Sequence, residues 1–383
     1  MTLTALVGAR VFDGANILDG HAVVFDGPRI SAVVADEAVP ADVQQQRVQG
    51  LLAPGFVDCQ VNGGGGVLFN DETSVAGIAA IAAAHRRFGV TGFLPTLITD
   101  ARPKMAAALA AADAAITAGA PGVLGVHLEG PFLNPERRGV HDPAYMRTID
   151  DADIALLAAP RQGRVLMTVA PEKMPAGAVA RLVAAGVVVS AGHTAATAEI
   201  VRQALAEGLS GFTHLFNAMP PLTGRDPGPV GAALDDPESY CSVIVDLHHV
   251  SATSLRVAIA AKGWSRMILV SDAMPTVGAG TASFTLAGQT VTRTADGALR
   301  TGNGTLAGAH LDMATAVRNT VSALGLPLEA ALHMASTAPA AYLGLGAELG
   351  RIAPGYRANL VLLEDALQAS ETWIDGKSST EPD

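Results

Sequence analysis

The middle of the chain, from about residue 51 to about residue 340, alternates short apolar runs with Ala-rich segments of helical period. This alternation is typical of repeated strand–helix units around a parallel sheet. The apolar runs predict eight strands, at 51–61, 90–97, 123–130, 164–172, 187–194, 211–217, 242–249 and 266–273. The Ala-rich segments predict helices at 74–88, 103–118, 176–185, 196–207, 251–262, 310–324 and 328–341. Eight such units predict an α/β fold, the (β/α)8 TIM barrel.

The two ends of the chain have a different pattern, in which short strand-like runs are separated by turns. Near the N-terminus these runs are TALVGARVF, GHAVVFDG and ISAVVA, and the Asp-Gly pairs between them suit hairpins. The same style returns in GRIAPGYRANLVLLE and ETWIDGK near the C-terminus. We therefore predict a small β-sandwich domain from residues 1–52 plus 343–383, and a catalytic TIM barrel from residues 53–342. The segment 276–305 predicts a hairpin insertion after the eighth strand.

Composition and charge exclude several classes of protein. The 383 residues are 49% apolar, 16% charged and 4% aromatic, which is typical of a compact α/β enzyme. The net charge of −11, with no basic run longer than Arg137-Arg138, argues against a nucleic-acid or anionic-membrane partner. The cysteines Cys59 and Cys241 form no CxxC motif, and the sequence shows neither a signal peptide nor a long apolar run. We therefore expect a soluble cytoplasmic protein.

Polar side chains lie at the C-terminal ends of the predicted strands, where a TIM barrel carries its active site. They are Asp58, Gln60 and Asn62 from the first strand, His127 and Glu129 from the third, His193 from the fifth, His214 from the sixth, His248 and His249 from the seventh, and Asp272 from the eighth. A single histidine at a strand end usually has a structural role. The joint placement of these residues on one face predicts a metal site.

Glu129 lies in the apolar run VLGVHLEG, where a carboxylate is costly unless it is paired or bound to a metal. One oxygen of Glu129 and two imidazole nitrogens, from His193 and His214, suit a zinc-like ion with an open position for water, as a hydrolase requires. Asp272 would then act as general base toward that water and return the proton to a leaving amine. Alternation along the strand places His127 on the same side as Glu129 but one pleat deeper in the barrel. His127 would then either orient Glu129 or be a core histidine whose ring nitrogens are hydrogen-bonded.

Longer motifs occur in order between residue 53 and about residue 340: PGFVDCQVNGGGG, HLEGPFLNPERRGVHDP, SAGHTAA, THLFNAMPPLTGRDPG, LHHV, SDAMPTVG and NGTLAG. They resemble the N-acetylglucosamine-6-phosphate deacetylases of the amidohydrolase superfamily. The resemblance implies a barrel with a small β domain, and metal-dependent hydrolysis of N-acetyl-D-glucosamine 6-phosphate to D-glucosamine 6-phosphate and acetate in amino-sugar catabolism. It also implies that Glu129, His193 and His214 bind the metal and that Asp272 is the catalytic acid/base.

The resemblance further assigns residues to the substrate. His141 would be catalytic as well as substrate-binding, because it would polarise the acetamide carbonyl. The other implied substrate contacts are Asn217, Ala218, Leu306, Ala307 and Gly308. Arg225 and His249 match the positions that hold the 6-phosphate, and arginine suits bidentate phosphate binding. In the family this arginine comes from a neighbouring subunit, which implies a homodimer; from the sequence alone, Arg225 could equally be a solvated loop charge. The loop 133–143 is a candidate mobile cover.

One pair of residues departs from the superfamily pattern. Gln60 and Asn62 stand where many amidohydrolases carry an HxH motif that binds a second metal. Neutral amides are poor ligands, so the sequence predicts one divalent ion per chain and no second-metal site. Zinc is the default for the Glu-His-His set, although iron, manganese or cobalt could occupy the same ligands.

Two alternative functions remain open at this point. Another amidohydrolase, acting on a cyclic amide or an N-acyl amino acid, would ordinarily need the HxH motif and often a bridging lysine near the fourth strand, whereas Lys173 lies just past that strand's end. A barrel that has lost catalysis could instead be a binding protein. The presence of Glu129, His193, His214 and Asp272 together speaks against the second alternative.

Overall fold

The structure, a computed structural model, describes residues 3–380, so the outermost residues of the predicted small domain, 1–2 and 381–383, lie outside the described residues. The chain begins with short strands, namely β1 (Thr4–Val7), β2 (Arg10–Phe12), β3 (Ile17–Leu18), β4 (His21–Asp26), β5 (Arg29–Ala35), β6 (Gln44–Arg47) and β7 (Leu51–Pro54). Apolar and β-branched residues dominate β1, β4 and β5, as is usual for strands that cover a core on one face.

A parallel barrel forms the central part of the chain. Its strands, with the ribbon β9–β10, are β8 (Phe56–Val61), β9 (Gly63–Gly64), β10 (Val67–Leu68), β11 (Val90–Ile98), β12 (Gly125–Glu129), β13 (Arg164–Val169), β14 (Val188–Ala191), β15 (Gly211–Phe212), β16 (Tyr240–Val243) and β17 (Met267–Leu269). Apart from the ribbon, they pair in chain order from β8 to β17. The barrel closes where Val61 bridges Ala273 and the N–H groups of Asn62 and Gly63 each donate to the Ala273 carbonyl at 2.9 Å. The predicted TIM barrel is confirmed.

Helices follow most of the barrel strands. They are α1 (Val75–Arg86), α2 (Arg102–Thr117), α3 (Asp151–Ala158), α4 (Ala178–Ala184), α5 (Ala198–Ala206), α6 (Gly228–Asp235), α7 (Ala252–Lys262), α8 (Met313–Ser322), α9 (Leu328–Ala335) and α10 (Thr337–Tyr342). The sequence did not predict α3 or α6, and the helix predicted at 328–341 is two helices that meet at Ser336. Within residues 3–380, no helix is long and apolar enough to cross a membrane.

The insertion after the last barrel strand is a small antiparallel sheet rather than a single hairpin. It contains β18 (Ser283–Leu286), β19 (Gln289–Arg293) and β20 (Leu299–Thr301), paired in that order. Its buried side chains pack against residues of the barrel mouth, including Met274 and Ile98. The insertion therefore forms part of the wall at the carboxyl end of the barrel.

The two ends of the chain meet in one small unit of two sheets. The C-terminal strands are β21 (Leu360–Leu363), β22 (Ala369–Ile374) and β23 (Lys377–Ser378). One sheet has the order β5-β4-β1-β6 and the other β23-β22-β21-β7-β2-β3. Leu6 and Val23 of the first sheet pack in one core with Leu52, Leu360 and Trp373 of the second. The exact division of the chain at 52/53 and 342/343 stays a prediction.

The strand predicted at 51–61 is wrong in one respect, because it is two strands in different sheets. β7 pairs with β2 and β21 in the small unit, whereas β8 pairs with β11 in the barrel. The chain passes between them at Gly55, where a Cβ atom would lie only 2.0 Å from Thr91 Oγ1. Only glycine allows this close approach to β11.

Candidate active site

Three side chains converge at the carboxyl ends of the barrel strands. Glu129 ends β12, His193 follows β14 and His214 follows β15, and all three are buried. Glu129 Oε1 lies 3.2 Å from His193 Nε2 and 2.8 Å from His214 Nε2. The ligand atoms of a tetrahedral zinc ion lie about 3.3 Å from one another, given metal–ligand bonds of about 2.0–2.1 Å. The spacing and the donor set therefore fit one divalent metal ion.

The contacts of these side chains suit metal binding. The Arg137 carbonyl, which can only accept, lies 2.8 Å from His193 Nδ1, so that nitrogen donates and Nε2 is the ligand atom facing Glu129. Burial alone would raise the pKa of Glu129, but the hydrogen bonds with His193 and His214 outweigh burial and hold that pKa well below its ordinary value. The carboxylate is therefore charged, as a metal ligand must be.

The backbone turns sharply where the barrel strands deliver these residues. His193, His214 and Asp272 have φ angles of +48°, +33° and +48°. Residues other than glycine rarely adopt this left-handed region. Neighbouring loops hold these turns in place: the Asn134 N–H donates to the His193 carbonyl at 3.0 Å, and the Ala309 N–H to the Asp272 carbonyl at 2.8 Å. Strained backbone of this kind clusters at functional sites.

Gln60, on β8, and Asn62, just after it, contact the two acidic residues of the site. The Gln60 amide lies 3.0 Å from Glu129 Oε1, and the Asn62 amide lies 2.6 Å from Asp272 Oδ1. Because a carboxylate only accepts hydrogen bonds, the amide nitrogen must face it in each pair. The two amides thus place N–H donors, rather than metal-binding oxygens, toward Glu129 and Asp272.

Asp272 stands beside the three-residue cluster and lines the same cavity. Burial, followed by the nearby negative charge of Glu129, raises the pKa of Asp272 to about 6. A carboxylate with a pKa close to neutrality can both accept and return a proton at physiological pH. Asp272 therefore has the environment that general acid/base catalysis requires.

His141 reaches the site from the loop that follows β12. Its ring centroid lies 4.3 Å from that of His193, and its Nε2 lies 3.8 Å from Glu129 Oε2. Burial, followed by the charge of His193, lowers the pKa of His141 to about 3, so the ring is neutral. The backbone N–H of Thr99 donates to His141 Nδ1 at 3.3 Å, which leaves the ring proton on Nε2. His141 therefore presents an N–H donor on the side that faces the site.

His127, which precedes Glu129 on β12, is a core histidine with both ring nitrogens in hydrogen-bond contacts. Its Nε2 lies 2.7 Å from Thr168 Oγ1, and its Nδ1 lies 3.4 Å from Thr96 Oγ1. Burial lowers the pKa of His127 to about 4. Its hydrogen bonds thus run to threonines of neighbouring strands, which is the second of the two interpretations that the sequence allowed.

A cavity of about 520 Å³ opens above the cluster. The predicted site residues that line it are Asn62, Glu129, His141, His193, His214, Asn217, Ala218, His249, Asp272, Leu306 and Gly308. Ala307 does not line the cavity, because its side chain is buried behind the wall and its N–H donates to the Leu299 carbonyl at 3.1 Å. Arg225 also lies outside the cavity, in the exposed segment 221–226.

His249 is held at the wall of the cavity by Asp246. His249 Nδ1 lies 2.7 Å from Asp246 Oδ2, and the N–H groups of His248 and His249 each donate to Asp246 Oδ1 at 2.9 Å. Burial alone would raise the pKa of Asp246, but the hydrogen bond from His249 outweighs burial and lowers it. The carboxylate fixes the imidazole with Nδ1 as the donor.

Glu172, which the sequence analysis did not select, joins three of the loops around the site. Its carboxylate accepts hydrogen bonds from Asn134 Nδ2 at 2.8 Å, from Thr194 Oγ1 at 2.5 Å and from the Ala195 N–H at 2.7 Å. Asn134 begins the loop that carries His141, and Thr194 follows His193 directly. Glu172 therefore positions His193 relative to that loop.

Three charged residues that line the cavity were not predicted from the sequence. Glu136 and Arg137 lie in the loop that carries His141, and Arg300 lies on β20 of the insertion. The motif HLEGPFLNPERRGVHDP contained a signal for Arg137. For Arg300 the signal was the alternation Leu-Arg-Thr within a short strand, but only the packing of the insertion shows which side faces the site.

Comparisons with known proteins agree with this geometry. Residues 51–379 match the amidohydrolase family, and residues 4–52 match the NagA composite domain. The chain is 39% identical to an N-acetylgalactosamine-6-phosphate deacetylase of Shewanella sp., covering 97% of this chain and 94% of the relative. It is 33% identical to an N-acetylglucosamine-6-phosphate deacetylase of Haemophilus influenzae, covering 97% and 98%.

A solved structure gives the same result. The chain superimposes with a TM-score of 0.95 on the crystal structure of N-acetylglucosamine-6-phosphate deacetylase from Pasteurella multocida, at 35% identity and with coverage of 99% of this chain and 100% of that one. These matches confirm the resemblance that the sequence motifs indicated. The chain belongs to the amidohydrolase family, among its amino-sugar-phosphate deacetylases.

Proposed function

We propose that this protein hydrolyses N-acetyl-D-glucosamine 6-phosphate to D-glucosamine 6-phosphate and acetate, as a step in amino-sugar catabolism. The observation that carries the proposal is the convergence of Glu129, His193 and His214 with Asp272 and His141 at one cavity. This set supplies a metal site, a general acid/base and a neutral hydrogen-bond donor, which together suit amide hydrolysis. The substrate is taken from the names of the relatives.

The proposed cofactor is one divalent metal ion per chain, held by Glu129, His193 and His214. Zinc is the default, and iron, manganese or cobalt could occupy the same ligands. When bound, the ion supplies Lewis acidity and lowers the pKa of a coordinated water. The amides of Gln60 and Asn62 support a single ion, because they turn N–H donors rather than metal ligands toward Glu129 and Asp272. Elemental analysis should give one metal per chain, and two stoichiometric metals would overturn this point.

The reaction follows from the positions of the chain's own groups. His141 donates its Nε2–H to the acetamide oxygen and stabilises the negative charge that develops there. Asp272 removes a proton from the attacking water as the new carbon–oxygen bond forms. Asp272 then gives that proton to the sugar nitrogen as the carbon–nitrogen bond breaks. The products are acetate and the free amine. Asn217, Ala218, Leu306, Ala307 and Gly308 remain proposed substrate contacts, although Ala307 lies behind the cavity wall.

The proposed homodimer explains the position of Arg225. This residue is exposed and does not line the cavity of its own chain, whereas Leu222 on the same loop is an exposed apolar side chain, 53% accessible. Both features support a loop that packs on a second copy and places Arg225 beside the partner's His249. The arginine would then bind the 6-phosphate from the neighbouring subunit.

Mixed dimers of two impaired variants, assayed at a concentration of phosphorylated sugar far below KM, test this arrangement. Asp272→Asn chains lack the base, and Arg225→Gln chains lack the phosphate arginine. If Arg225 acts across the interface, each mixed dimer has one site with both residues. With equal expression and random pairing, half of the dimers are mixed, so about a quarter of the wild-type activity per site should return. If Arg225 acts within its own chain, no mixed site is intact and activity stays at the level of the single variants.

A second substrate has support from one observation. The Shewanella relative, at 39% identity, is named for N-acetylgalactosamine 6-phosphate, which differs from the glucosamine compound only in the configuration at C4. The decisive assay is acetate release from both 6-phosphates and from free N-acetylglucosamine, with and without a chelator. We expect chelator-sensitive release that strongly favours a phosphorylated sugar. Release from cyclic amides or N-acyl amino acids instead, or no release at all, would favour the alternative functions.

The proposed location is the cytoplasm. The cysteines Cys59 and Cys241 are free and buried, which suits a reducing compartment. Neither nucleic acid nor a membrane is part of the proposal, given the net charge of −11.

A further inference from the structure

Arg300 occupies the middle of β20, and the burial pattern of that strand fixes the direction of its side chain. Leu299 and Thr301 on either side are buried, whereas Arg300 is partly exposed. Successive side chains of a strand point to opposite faces, so Arg300 leaves the sheet on the face opposite to Leu299. Leu299 packs with Val291 and Met274 in the core of the insertion, and Arg300 lines the active-site cavity.

The guanidinium of Arg300 is held beside the cavity wall by contacts that use only part of its hydrogen-bonding capacity. Its Nη1 donates to the Gly304 carbonyl at 3.2 Å, and its Nη2 lies 4.0 Å from Asp296 Oδ2. The backbone of Arg300 also bridges Leu306, another residue of the wall. A guanidinium carries five N–H donors, so these contacts leave several of them available to a ligand.

Arg300 lines the cavity from the insertion, close to the segment that carries His248 and His249. The turn of its own insertion packs near His248, since a Cβ atom on Gly297 would lie 3.8 Å from His248 Nε2. His249, the proposed phosphate contact, is the next residue along the chain. By contrast, Arg137 lies at the metal end, because its carbonyl accepts the hydrogen bond from His193. Of the two arginines that line the cavity within residues 3–380, Arg300 is thus the one on the side of His249.

We propose that Arg300 binds the 6-phosphate of the substrate from within the same subunit, in addition to the partner subunit's Arg225. The inference rests on the proposed function, because it assumes a phosphorylated sugar. A phosphate dianion in a protein of net charge −11 needs local cations, and an arginine offers paired charge-assisted hydrogen bonds to it. Arg300 therefore makes part of the phosphate recognition independent of the dimer interface.

The test compares Arg300→Gln with the wild-type enzyme on N-acetylglucosamine 6-phosphate and on free N-acetylglucosamine. We expect kcat/KM for the phosphorylated sugar to fall roughly 10- to 100-fold, mainly through KM, as loss of a hydrogen bond to a charged group predicts. The kcat/KM for the free sugar should change far less. Inhibition by glucose 6-phosphate, which lacks the acetamide, should weaken by a similar factor. Arg300→Lys, which keeps the charge but not the fork of donors, should give an intermediate result.

Arg293→Gln is the matched control. Arg293 lies on β19 of the same insertion, its Nη1 lies 2.8 Å from His310 Nε2, and it does not line the cavity. This variant should keep the wild-type preference for the phosphorylated sugar.

The outcomes separate the inference from the function on which it rests. If the wild-type enzyme shows no preference for a phosphorylated sugar, the proposed function is wrong and the inference falls with it. If the wild type has the preference and Arg300→Gln retains it, the function stands and the inference about Arg300 is wrong. Equal losses on both sugars in the Gln and Lys variants would mean that Arg300 only supports the insertion, which also overturns the inference.

Discussion

At the inner end of the cavity, Glu129, His193 and His214 are buried and their ligand atoms lie within 4.8 Å of one another. At the outer end, Arg300 is a partly exposed side chain on a strand of the insertion, and Arg225 lies on an exposed loop outside the cavity. The inner end is assembled by the ends of barrel strands, and by the residues just beyond them, within one chain. The outer end depends on how an insertion and a loop pack, and in the proposed dimer on a second chain.

This difference separates the chemical step from substrate selection. Groups fixed by the barrel sit where the acetamide must react, so their loss should lower kcat. In the proposed function, groups carried by the insertion and the loop bind the phosphate, so their loss should raise KM for phosphorylated sugars. Variants at the inner end should therefore differ from the wild type mainly in kcat, and variants at the outer end mainly in KM.

The largest effect is expected from Glu129→Gln, which removes the only charged ligand of the cluster. A neutral amide is a poor metal ligand, so the variant should lose its metal on dialysis and release acetate only at background rate. Elemental analysis together with the acetate assay measures both losses. Glu136→Gln, which changes a cavity residue outside the cluster, is the control and should keep its metal. A stoichiometric metal in Glu129→Gln would contradict the assignment of the inner end.

Asp272→Asn should have the next largest effect and should separate catalysis from metal binding. The amide oxygen of the new side chain can still accept the hydrogen bond from Asn62, so the local geometry should persist. Loss of general acid/base catalysis predicts a fall in kcat of about 10²–10⁴-fold. Metal content and KM should stay close to wild type. A variant with near wild-type kcat would remove Asp272 from the mechanism.

A smaller effect is expected from Glu172→Gln, which weakens the link between the loop start and His193. The amide keeps one oxygen and loses an acceptor that Asn134, Thr194 or Ala195 now uses. Changes to groups that orient a metal ligand typically weaken metal affinity about 10- to 100-fold. Competition with a chelator measures that affinity without relying on turnover.

Glu199→Gln is the matched control for this variant, because Glu199 is exposed on α5 and pairs only with its helical neighbours Arg202 and Gln203 among the described residues. Its metal affinity should equal that of the wild type. If Glu172→Gln also binds metal as tightly as the wild type, the loops hold His193 without help from Glu172.

The convergence of residues at the inner end could be predicted from the sequence, because barrel geometry leaves little freedom there. Once eight strands are assigned in order, the residues that follow them must share one face, so Glu129, His193, His214 and Asp272 could be grouped before any coordinates. The same argument needs no knowledge of loops. It works even where a predicted strand is largely loop, as at 211–217, where only Gly211–Phe212 is strand and His214 lies just beyond.

The features that the sequence did not predict depend on packing between distant segments. The division of 51–61 into β7 and β8 rests on the approach of Gly55 to Thr91, which an unbroken apolar run does not reveal. No helix was predicted at α6, which begins with a Gly-Pro pair, yet that segment packs as a helix against α5 and α7. The position of Arg300 depends on how the insertion packs against the barrel mouth. The pattern of apolar and polar residues does not indicate that packing.

The smallest effect on activity is expected from a variant at the base of the loop that carries His141. Asp153 is buried and accepts hydrogen bonds from Arg102 Nε and Arg147 Nη2, each at 2.6 Å. Arg147 fastens the end of the loop to its start, because its N–H donates to the Pro131 carbonyl at 3.3 Å. These contacts lie outside the cavity lining, so Asp153→Asn should alter stability and leave the chemical step unchanged.

The pH dependence of stability gives this last variant a definite sign. Burial alone would raise the pKa of Asp153, but the hydrogen bonds from Arg147 and Arg102 outweigh burial and lower it to about 2. A carboxyl group whose pKa is lower in the folded state stabilises the protein above its unfolded pKa of about 3.9, and this contribution disappears as the pH falls toward 2. With allowance for the partly exposed arginines, Asp153→Asn should lower the free energy of unfolding by about 1–2 kcal/mol at pH 7.

Urea unfolding of wild type and variant between pH 7 and pH 3 measures the difference, which should shrink below pH 4. The control is Asp151→Asn in the same helical turn, because Asp151 is 88% exposed and its ion pair with Arg181 should contribute little. A fall in kcat for Asp153→Asn comparable to that of Asp272→Asn would mean that the loop base takes part in the chemistry. The separation between a catalytic inner end and a selective outer end would then be wrong, because the loop would couple them.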